Sequence, residues 1–484
     1  MRICFASSEC VPFVKTGGLA DVSGALPKAL AERGHEVKVF LPLYDKVRVF
    51  DHGLVFAEDI SNIPVGIGGK TITFNTWYGQ LPGSDAEVYL IDCPHYFHRG
   101  AVYTNDHDED ERFILFQRAV FSIIQRYNWS PDILHCNDWQ TGLMPVYLRE
   151  TYQWDDLFKR TASVMTIHNI GYQGRFTPGT LHNTGLSNDL FYLGGPLEFE
   201  GSLSFLKAGL AYADLITTVS PTYAQEIQTS KYGAGLDGIL RARAHDLHGV
   251  LNGIDPTDWN PASDAHIPQT YDLEQLDQKE ANKRALLKHA GLPYAPNVPV
   301  LGIVTRFASQ KGLDLLKPIL SDLLHHHRFQ LVVLGSGEDD TENFFRWATH
   351  TYGDRVWAHI GYDIGLSHLI EAGSDMFLMP SHYEPCGLNQ MYSLAYGTVP
   401  IVRKTGGLAD TVHDFHETNG NGNGFSFYDA TPYALKTTIE RALALYHDKP
   451  TWRAIQHRGM STDFSWGASA DAYSRLYDLA KAKR

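Results

Sequence analysis

Three short stretches bring cations, acids and glycines together at spacings suited to phosphate and hydroxyl recognition. The first, KTGGLAD, spans residues 15–21. Its paired glycines would let backbone N–H groups approach a phosphate, and the helix expected from about Asp21 would add positive potential. Lys15 supplies a movable point charge. The stretch is neither GxGxxG nor GxxxxGK[ST], so alone it is better read as a plain strand-to-helix loop with a solvated lysine. The second, TRFASQKG (305–312), carries Arg306 and Lys311. Both can reach one diphosphate, on which charge develops as the bond to it breaks. In isolation, two basic surface residues are an equal reading.

The third stretch, 380–402, begins PSHYEPCGLNQ. A strand is expected to end at Ser381, a turn to follow through Glu384, Cys386 and Gly387, and a helix to hold Asn389 to Tyr396. Glu384 is then presented at a strand's carboxyl end, where it can accept from sugar hydroxyls. The amides of Gly387 and Leu388 would open at the helix start. A strand-end acid, a glycine turn and a helix coincide here, which favours a functional acid over one that merely answers the dipole. HCNDWQTG (135–142) and TIHNIGYQG (166–174) place Asp138 and His168 at strand ends. Alone, each is more often a packed or capping residue than a catalytic one.

KTGGLAD recurs at 404–410. Each copy is expected to follow a strand and open a helix, one in each half, which fits two related units and not a short-period repeat. In the second copy Thr405, Gly406 and Gly407 would turn amides toward a diphosphate. Only Lys15, not Lys404, is expected to act in catalysis.

These residues need a scaffold of strand ends. Short β-rich runs at 2–7, 36–44, 88–92, 132–138, 163–169 and 215–220 alternate with helical patterns such as 111–127. In 21–35, Val22, Ala25, Leu26, Ala29 and Leu30 share one helical face, with Gly34 as a stop. The alternation restarts at 298–306 and continues at 329–337, 356–362, 375–381 and 399–407. Such alternation implies doubly wound parallel sheets, two of them, with ligands beyond the strands' carboxyl ends and a cleft between the domains. The turn formers of LNGIDPTDWNP put the boundary near 255. The expected domains are 1–255, 256–465 and a C-terminal helix, 466–484. ETNGNGNG (417–424) reads as a flexible loop.

A chain of 484 residues with 43% hydrophobic and 20% charged residues is of ordinary globular composition and long enough for two or three domains. Its formal net charge of −14 argues against nucleic acid as a partner. The five cysteines (4, 10, 93, 136 and 386) show no CxxC or Cys/His ligand spacing, so thiols in a reducing compartment are expected. No apolar run is long enough for a signal peptide or a membrane span, which makes a cytoplasmic location the default. DHDEDE (106–111) reads as a solvated charged loop, not an acidic metal site, and no metal or cofactor is expected. No pattern bears on oligomeric state.

Taken together, KTGGLADV, HCNDWQTG, TIHNIGYQG, SFLKAGLAYAD (204–214), TTVSPTYAQEI (217–227), LNGID, TRFASQKGLD, HIGYD, the run from SHYEPCGLNQ to KTGGLADTV and DFSW (463–466) resemble bacterial glycogen and plant starch synthases. The resemblance runs in order along nearly the whole chain. It implies two facing Rossmann-like domains, the GT-B arrangement, the first on the glucan acceptor side and the second binding the nucleotide sugar, with the last helix crossing back to the first. It implies metal-independent, retaining transfer of glucose from ADP-glucose to an α-1,4-glucan. By position, Lys15, Gly18 and Asp21 would meet the donor, and Asp138, His168 and Asn252 would surround glucose. Arg306 and Lys311 would hold the diphosphate, and Tyr362 would lie against adenine. Glu384, Cys386 and Gly387 would bind glucose hydroxyls and the distal phosphate. Many related transferases carry a second Glu eight residues after the first; here Tyr392 stands there. An NAD-dependent oxidoreductase would need a GxGxxG with a distant acid, and neither half has one. A phosphorylase would need a lysine for pyridoxal phosphate, and no segment matches. A non-catalytic glucan-binding protein would have lost Glu384, Lys15 or the Arg306/Lys311 pair. The open alternative is a related transferase using UDP-glucose or another acceptor.

Overall fold

The computed structural model describes residues 1–484. The chain divides into two compact units: one comprises Met1–Asn252 with Trp466–Arg484, the other Gly253–Ser465.

In the first unit, parallel strands Arg2–Ala6, Glu36–Pro42 and Glu87–Asp92 run outward on one side of the sheet. Ile133–Asn137, Ala162–Ile167, Leu215–Thr218 and Leu247–Gly249 run outward on the other. Numbered along the chain, the order is 3-2-1-4-5-6-7, so direction reverses between Arg2–Ala6 and Ile133–Asn137. These strands are apolar because both faces are covered: Ile3, Cys4, Phe5, Val39, Leu90, Ile133 and Val164 are fully buried. The sheet is not wholly parallel, as the alternation had implied. Lys70–Gln80 pairs antiparallel with Glu87–Asp92 and also with Val55–Phe56 and Ile63–Ile67. Gly68 and Gly69, at φ 54° and 78°, make the two-residue turn of that hairpin. The alternating burial of Ile63–Ile67 was its legible signal.

The second unit has one six-stranded parallel sheet. Val300–Val304 and Met376–Met379 are central, flanked by Gln330–Gly335 and Val356–Ile360 on one side and Val399–Arg403 and Phe425–Phe427 on the other. The order is again 3-2-1-4-5-6, with reversal between Val300–Val304 and Met376–Met379. A core of Leu301, Ile303, Leu316, Phe329, Val333, Met376, Ile401 and Ile439 holds it.

The helix expected from about Asp21 begins three residues earlier, as Gly18–Ala31, with Pro27 inside it. The last helix, Trp466–Lys481, packs within the first unit: Gly467 O accepts from Arg33 at 2.6 Å, and Tyr477 OH lies 2.7 Å from His135 Nδ1. The acidic run 106–111 departs from expectation. Only its first two residues are exposed; Asp108, Glu109, Asp110 and Glu111 are buried at the start of helix Glu109–Arg126. Arg99 binds both oxygens of Asp108 at 2.6 Å, Arg112 holds Glu109 at 2.5 Å, Thr180 holds Asp110 at 2.7 Å and Lys70 holds Glu111 at 2.9 Å. A buried carboxylate requires such partners; here Arg112 and Arg99 are near in sequence, while Thr180 and Lys70 come from distant segments. The 417–424 loop is tied by buried Asn423, which donates to Thr411 O at 3.0 Å and accepts from His413 N at 2.8 Å. No helix is long and apolar enough to cross a membrane.

Candidate active site

In the second unit the loops past the two central strands carry Arg306, Lys311 and Glu384, at the position where doubly wound sheets bind ligands. The loops touch through backbone. Gly312 has φ +68°, and a Cβ there would lie 2.0 Å from Pro380 O, so only glycine fits. Glu384 is buried, and its Oε2 accepts from Lys311 Nζ at 2.7 Å and from Ser381 Oγ at 3.1 Å. Gln310 braces the turn: its Nε2 donates to Tyr383 O at 3.1 Å and its carbonyl accepts from His382 N at 2.8 Å. Arg306 is exposed, and its guanidinium has no partner in the protein. Gly387, at φ +73°, and Leu388 precede helix Asn389–Ala395, and their amides donate to no acceptor in the chain. Asn389 Nδ2 donates to Val304 O at 3.2 Å, joining this helix to the first central strand. Cys386 is a buried thiol in the same turn. Tyr362, just past Val356–Ile360, is 80% exposed, with its ring open for stacking. Tyr392 stacks on Trp259 (centroids 3.8 Å apart, 9° between planes), which stacks in turn on His368, so it is a packing residue.

The second KTGGLAD follows Val399–Arg403, the fifth strand of its unit, whereas the first follows the first strand of its own. The copies are therefore not topological equivalents. Gly406 has φ +44°, and a Cβ on it would lie 1.9 Å from Glu384 O; one on Gly407 would lie 2.1 Å from Cys386 O. Arg403 Nη2 donates to His382 O at 2.6 Å. Two of the three amides expected to turn toward a diphosphate are bonded within the chain. Thr405 N donates to Arg403 O at 3.0 Å, and Gly407 N donates to the Glu384 and Pro385 carbonyls at 3.2 and 3.1 Å. Thr405 itself is fully buried. The loop packs closely against the backbone that carries Glu384. Lys404 is occupied, donating to Glu417 Oε2 and Tyr428 OH at 2.7 Å each.

In the first unit the same logic brings Asp138 and the 15–18 loop past neighbouring strands. Asp138 sits at φ +56°, ψ −175°, a conformation that costs a non-glycine residue about 1–3 kcal/mol. Its Oδ1 accepts from His168 N at 2.7 Å. Burial, with a contribution from the charge of Glu9, pushes its carboxyl up to about 7, although the His168 and Asn169 amides oppose this. Asn137 Nδ2 donates to Ala6 O at 3.0 Å, which turns Asn137 Oδ1 toward His168 Nε2 at 2.9 Å. His168 Nε2 therefore carries the proton and Nδ1 is left to accept. Desolvation holds that imidazole near 3, so at neutral pH it is an uncharged hydrogen-bonding group and not an acid. Asn252, the last residue before the second unit, is buried with its Oδ1 unpaired.

Lys15 is exposed, and its Nζ lies 2.7 Å from Asp21 Oδ1. Gly18 is exposed at the start of its helix. The Thr16 and Gly17 amides both donate to Glu9 Oε2, whereas Gly18 N and Leu19 N donate to no acceptor in the chain, so the amides left for a phosphate are those of the helix's first turn. Glu9, Ser381 and Arg403 were not singled out from sequence. Glu9 stands three residues past a strand end, the same signal that marked Glu384. Since Lys404 is spent on Glu417 and Tyr428, Lys404→Ala should alter donor KM and kcat less than Lys15→Ala does. Steady-state kinetics of the two variants give the ranking, and the reverse order would overturn it.

Residues 2–242 match the family model of the starch synthase catalytic domain, and 288–455 match glycosyl transferases group 1. The chain is 46% identical to a glycogen synthase of Moorella thermoacetica, covering 100% of this chain and 98% of that one. It is 47% identical to the glycogen synthase of Syntrophotalea carbinolica, over 99% of each. Its structure superposes with a TM-score of 0.91 on the catalytic domain of starch synthase IV from Arabidopsis thaliana bound to ADP and acarbose, at 35% identity over 99% of both chains. A sucrose-phosphate synthase from Thermosynechococcus elongatus shares the fold, with a TM-score of 0.63 and 18% identity over 100% of both chains.

Proposed function

Because the chain belongs to the glycogen and starch synthase family of glycosyltransferases, we propose that it moves glucose from ADP-glucose to the non-reducing end of an α-1,4-glucan, with retention and without a metal. A nucleotide-sugar donor and a glucan acceptor follow from the membership itself. The observation that carries the finer reading is the Lys311–Glu384 pair beside a free Arg306 at the reversal point of the second sheet.

The second unit is the nucleotide-sugar side in this reading. Arg306 and Lys311 neutralise the departing diphosphate, with the unspent amides of Gly387 and Leu388 adding donors. As Lys311 turns to phosphate, Glu384 is released to accept from glucose hydroxyls. Tyr362 offers adenine an aromatic face. The relative solved with ADP supports the choice of nucleotide. From the first unit Lys15, Gly18 and Asp21 meet the donor. Asp138, neutral His168 and Asn252 supply hydrogen bonds to the sugar.

Retention by double displacement needs a free carboxylate nucleophile. Glu384 Oε2 already accepts from both Lys311 and Ser381. Attack on the donor's own face, with the leaving phosphate oxygen taking the acceptor's proton, fits better. Trapping a glucosyl ester on Glu384 would sink this route. The five cysteines, all free and buried, support a reducing, cytoplasmic setting.

The decisive assay offers labelled ADP-glucose or UDP-glucose with glycogen, in the presence of a chelator. Label should enter polymer faster from ADP-glucose. No transfer from either donor would defeat the reading, and a preference for UDP-glucose would correct the nucleotide.

A further inference from the structure

The Glu9 carboxylate, buried just past the first strand, collects four donors. They are the Thr16 and Gly17 amides, the Thr16 hydroxyl at 2.6 Å and the Tyr103 hydroxyl. Tyr103 is itself fixed, its OH 2.9 Å from Ser8 Oγ, and Ser8 O accepts from Tyr44 OH at 2.9 Å. Gly17 is the N-cap of helix Gly18–Ala31 and, as a glycine, has no side chain to cap it. Glu9 thus takes the two amides that lead into the helix, while the first amides of the helix itself, Gly18 N and Leu19 N, donate to no acceptor in the chain.

We propose that Glu9 is the positioning residue of the first unit's donor loop: by binding the Thr16 and Gly17 amides and the Thr16 hydroxyl it holds the loop so that the Lys15 ammonium and the open Gly18 and Leu19 amides meet the donor diphosphate. The proposal rests on the donor reading above. The proposal accounts for the loop's one cation, Lys15, which is exposed and leashed to Asp21. It also gives Thr16 a task, since its side chain and amide bind the two oxygens of one carboxylate.

Glu9→Gln keeps the volume but replaces one acceptor oxygen with a donor that faces N–H and O–H groups. It should lower kcat/KM for ADP-glucose roughly 10- to 100-fold, the range for a hydrogen bond to a charged group. The glucan KM should stay within about twofold, and Tyr103→Phe should show a smaller loss in the same direction. A purely structural Glu9 would not interact with Lys15 specifically, so the deciding measurement is a double-mutant cycle. In the Glu9→Gln background, Lys15→Gln should cost much less than it does in the wild type. Additive losses, or a wild-type kcat/KM in Glu9→Gln, would overturn the proposal. If Glu9→Gln fails to fold, Thr16→Val and Tyr103→Phe enter the same cycle with the same two outcomes. An inactive wild-type enzyme would reject the donor reading; an active one with additive losses rejects only the role of Glu9.

Discussion

Lys311→Ala is expected to lower kcat/KM for the donor by about 10²–10³-fold, or roughly 3–4 kcal/mol, because it removes a cation from a leaving diphosphate. The structure adds a second consequence. Lys311 is the charged partner of a buried Glu384, and removing it strands that carboxylate with Ser381 alone. Losing one partner of a buried pair costs about 3 kcal/mol or more, so the urea midpoint should also fall. Glu384→Gln separates the two effects. It takes away the charge that needs Lys311, so stability should hold within about 1 kcal/mol while turnover collapses. The Lys311→Ala, Glu384→Gln double variant should recover stability but not rate. A Lys311→Ala enzyme with near-wild-type kinetics would refute the diphosphate role, and a double variant as unstable as Lys311→Ala would refute the stranded-charge account.

Asp138→Asn should raise stability above pH 7 while lowering turnover at least about tenfold, the cost of weakening a hydrogen bond between the sugar and a charged acceptor. Burial lifts the folded-state pKa of this carboxyl to about 7, against about 3.9 in an unfolded chain. The folded state thus binds the proton more tightly. Its stabilising effect is complete below about pH 4, fades as pH rises, and is lost above about 7. Asparagine can still accept the His168 amide and carries no charge. The variant should match wild type near pH 4 and exceed it at pH 8 by on the order of 3 kcal/mol. His135 and His168, both held near 3 by burial, act in the opposite sense: they remove stability as pH falls below about 6.5. They are common to both proteins, so the difference between the two denaturation curves isolates Asp138. A variant less stable than wild type at pH 8 would show that the carboxylate is welcome in its site.

Much of the scaffold was legible in the chain. All eleven strand runs read from apolar, β-rich segments correspond to strands, because both faces of a parallel sheet are buried and leave continuous hydrophobic runs. Arg306, Lys311 and Glu384 were found at strand ends because doubly wound sheets place ligands there. The partners of those groups were not legible. Ser381 lies three residues from Glu384, but Thr180 and Lys70 reach the acidic run from distant segments. Local pattern reports which face of an element is buried and is silent on what lies across from it.

The two KTGGLAD copies mark the division most sharply. By itself the sequence determined that each opens a helix after a strand, since glycine pairs and a following apolar period are local properties. Only the tertiary structure decided what each copy does. One lies past the first strand of its sheet, where Glu9 takes the Thr16 and Gly17 amides and Lys15 is exposed. The other lies past the fifth strand, where Gly406 and Gly407 pack against the backbone of Glu384 and Cys386 and Lys404 is tied down. Identical letters acquire different roles because a hydrogen bond is settled by whichever group the fold brings within about 3 Å, and strand order, not local sequence, sets that neighbour.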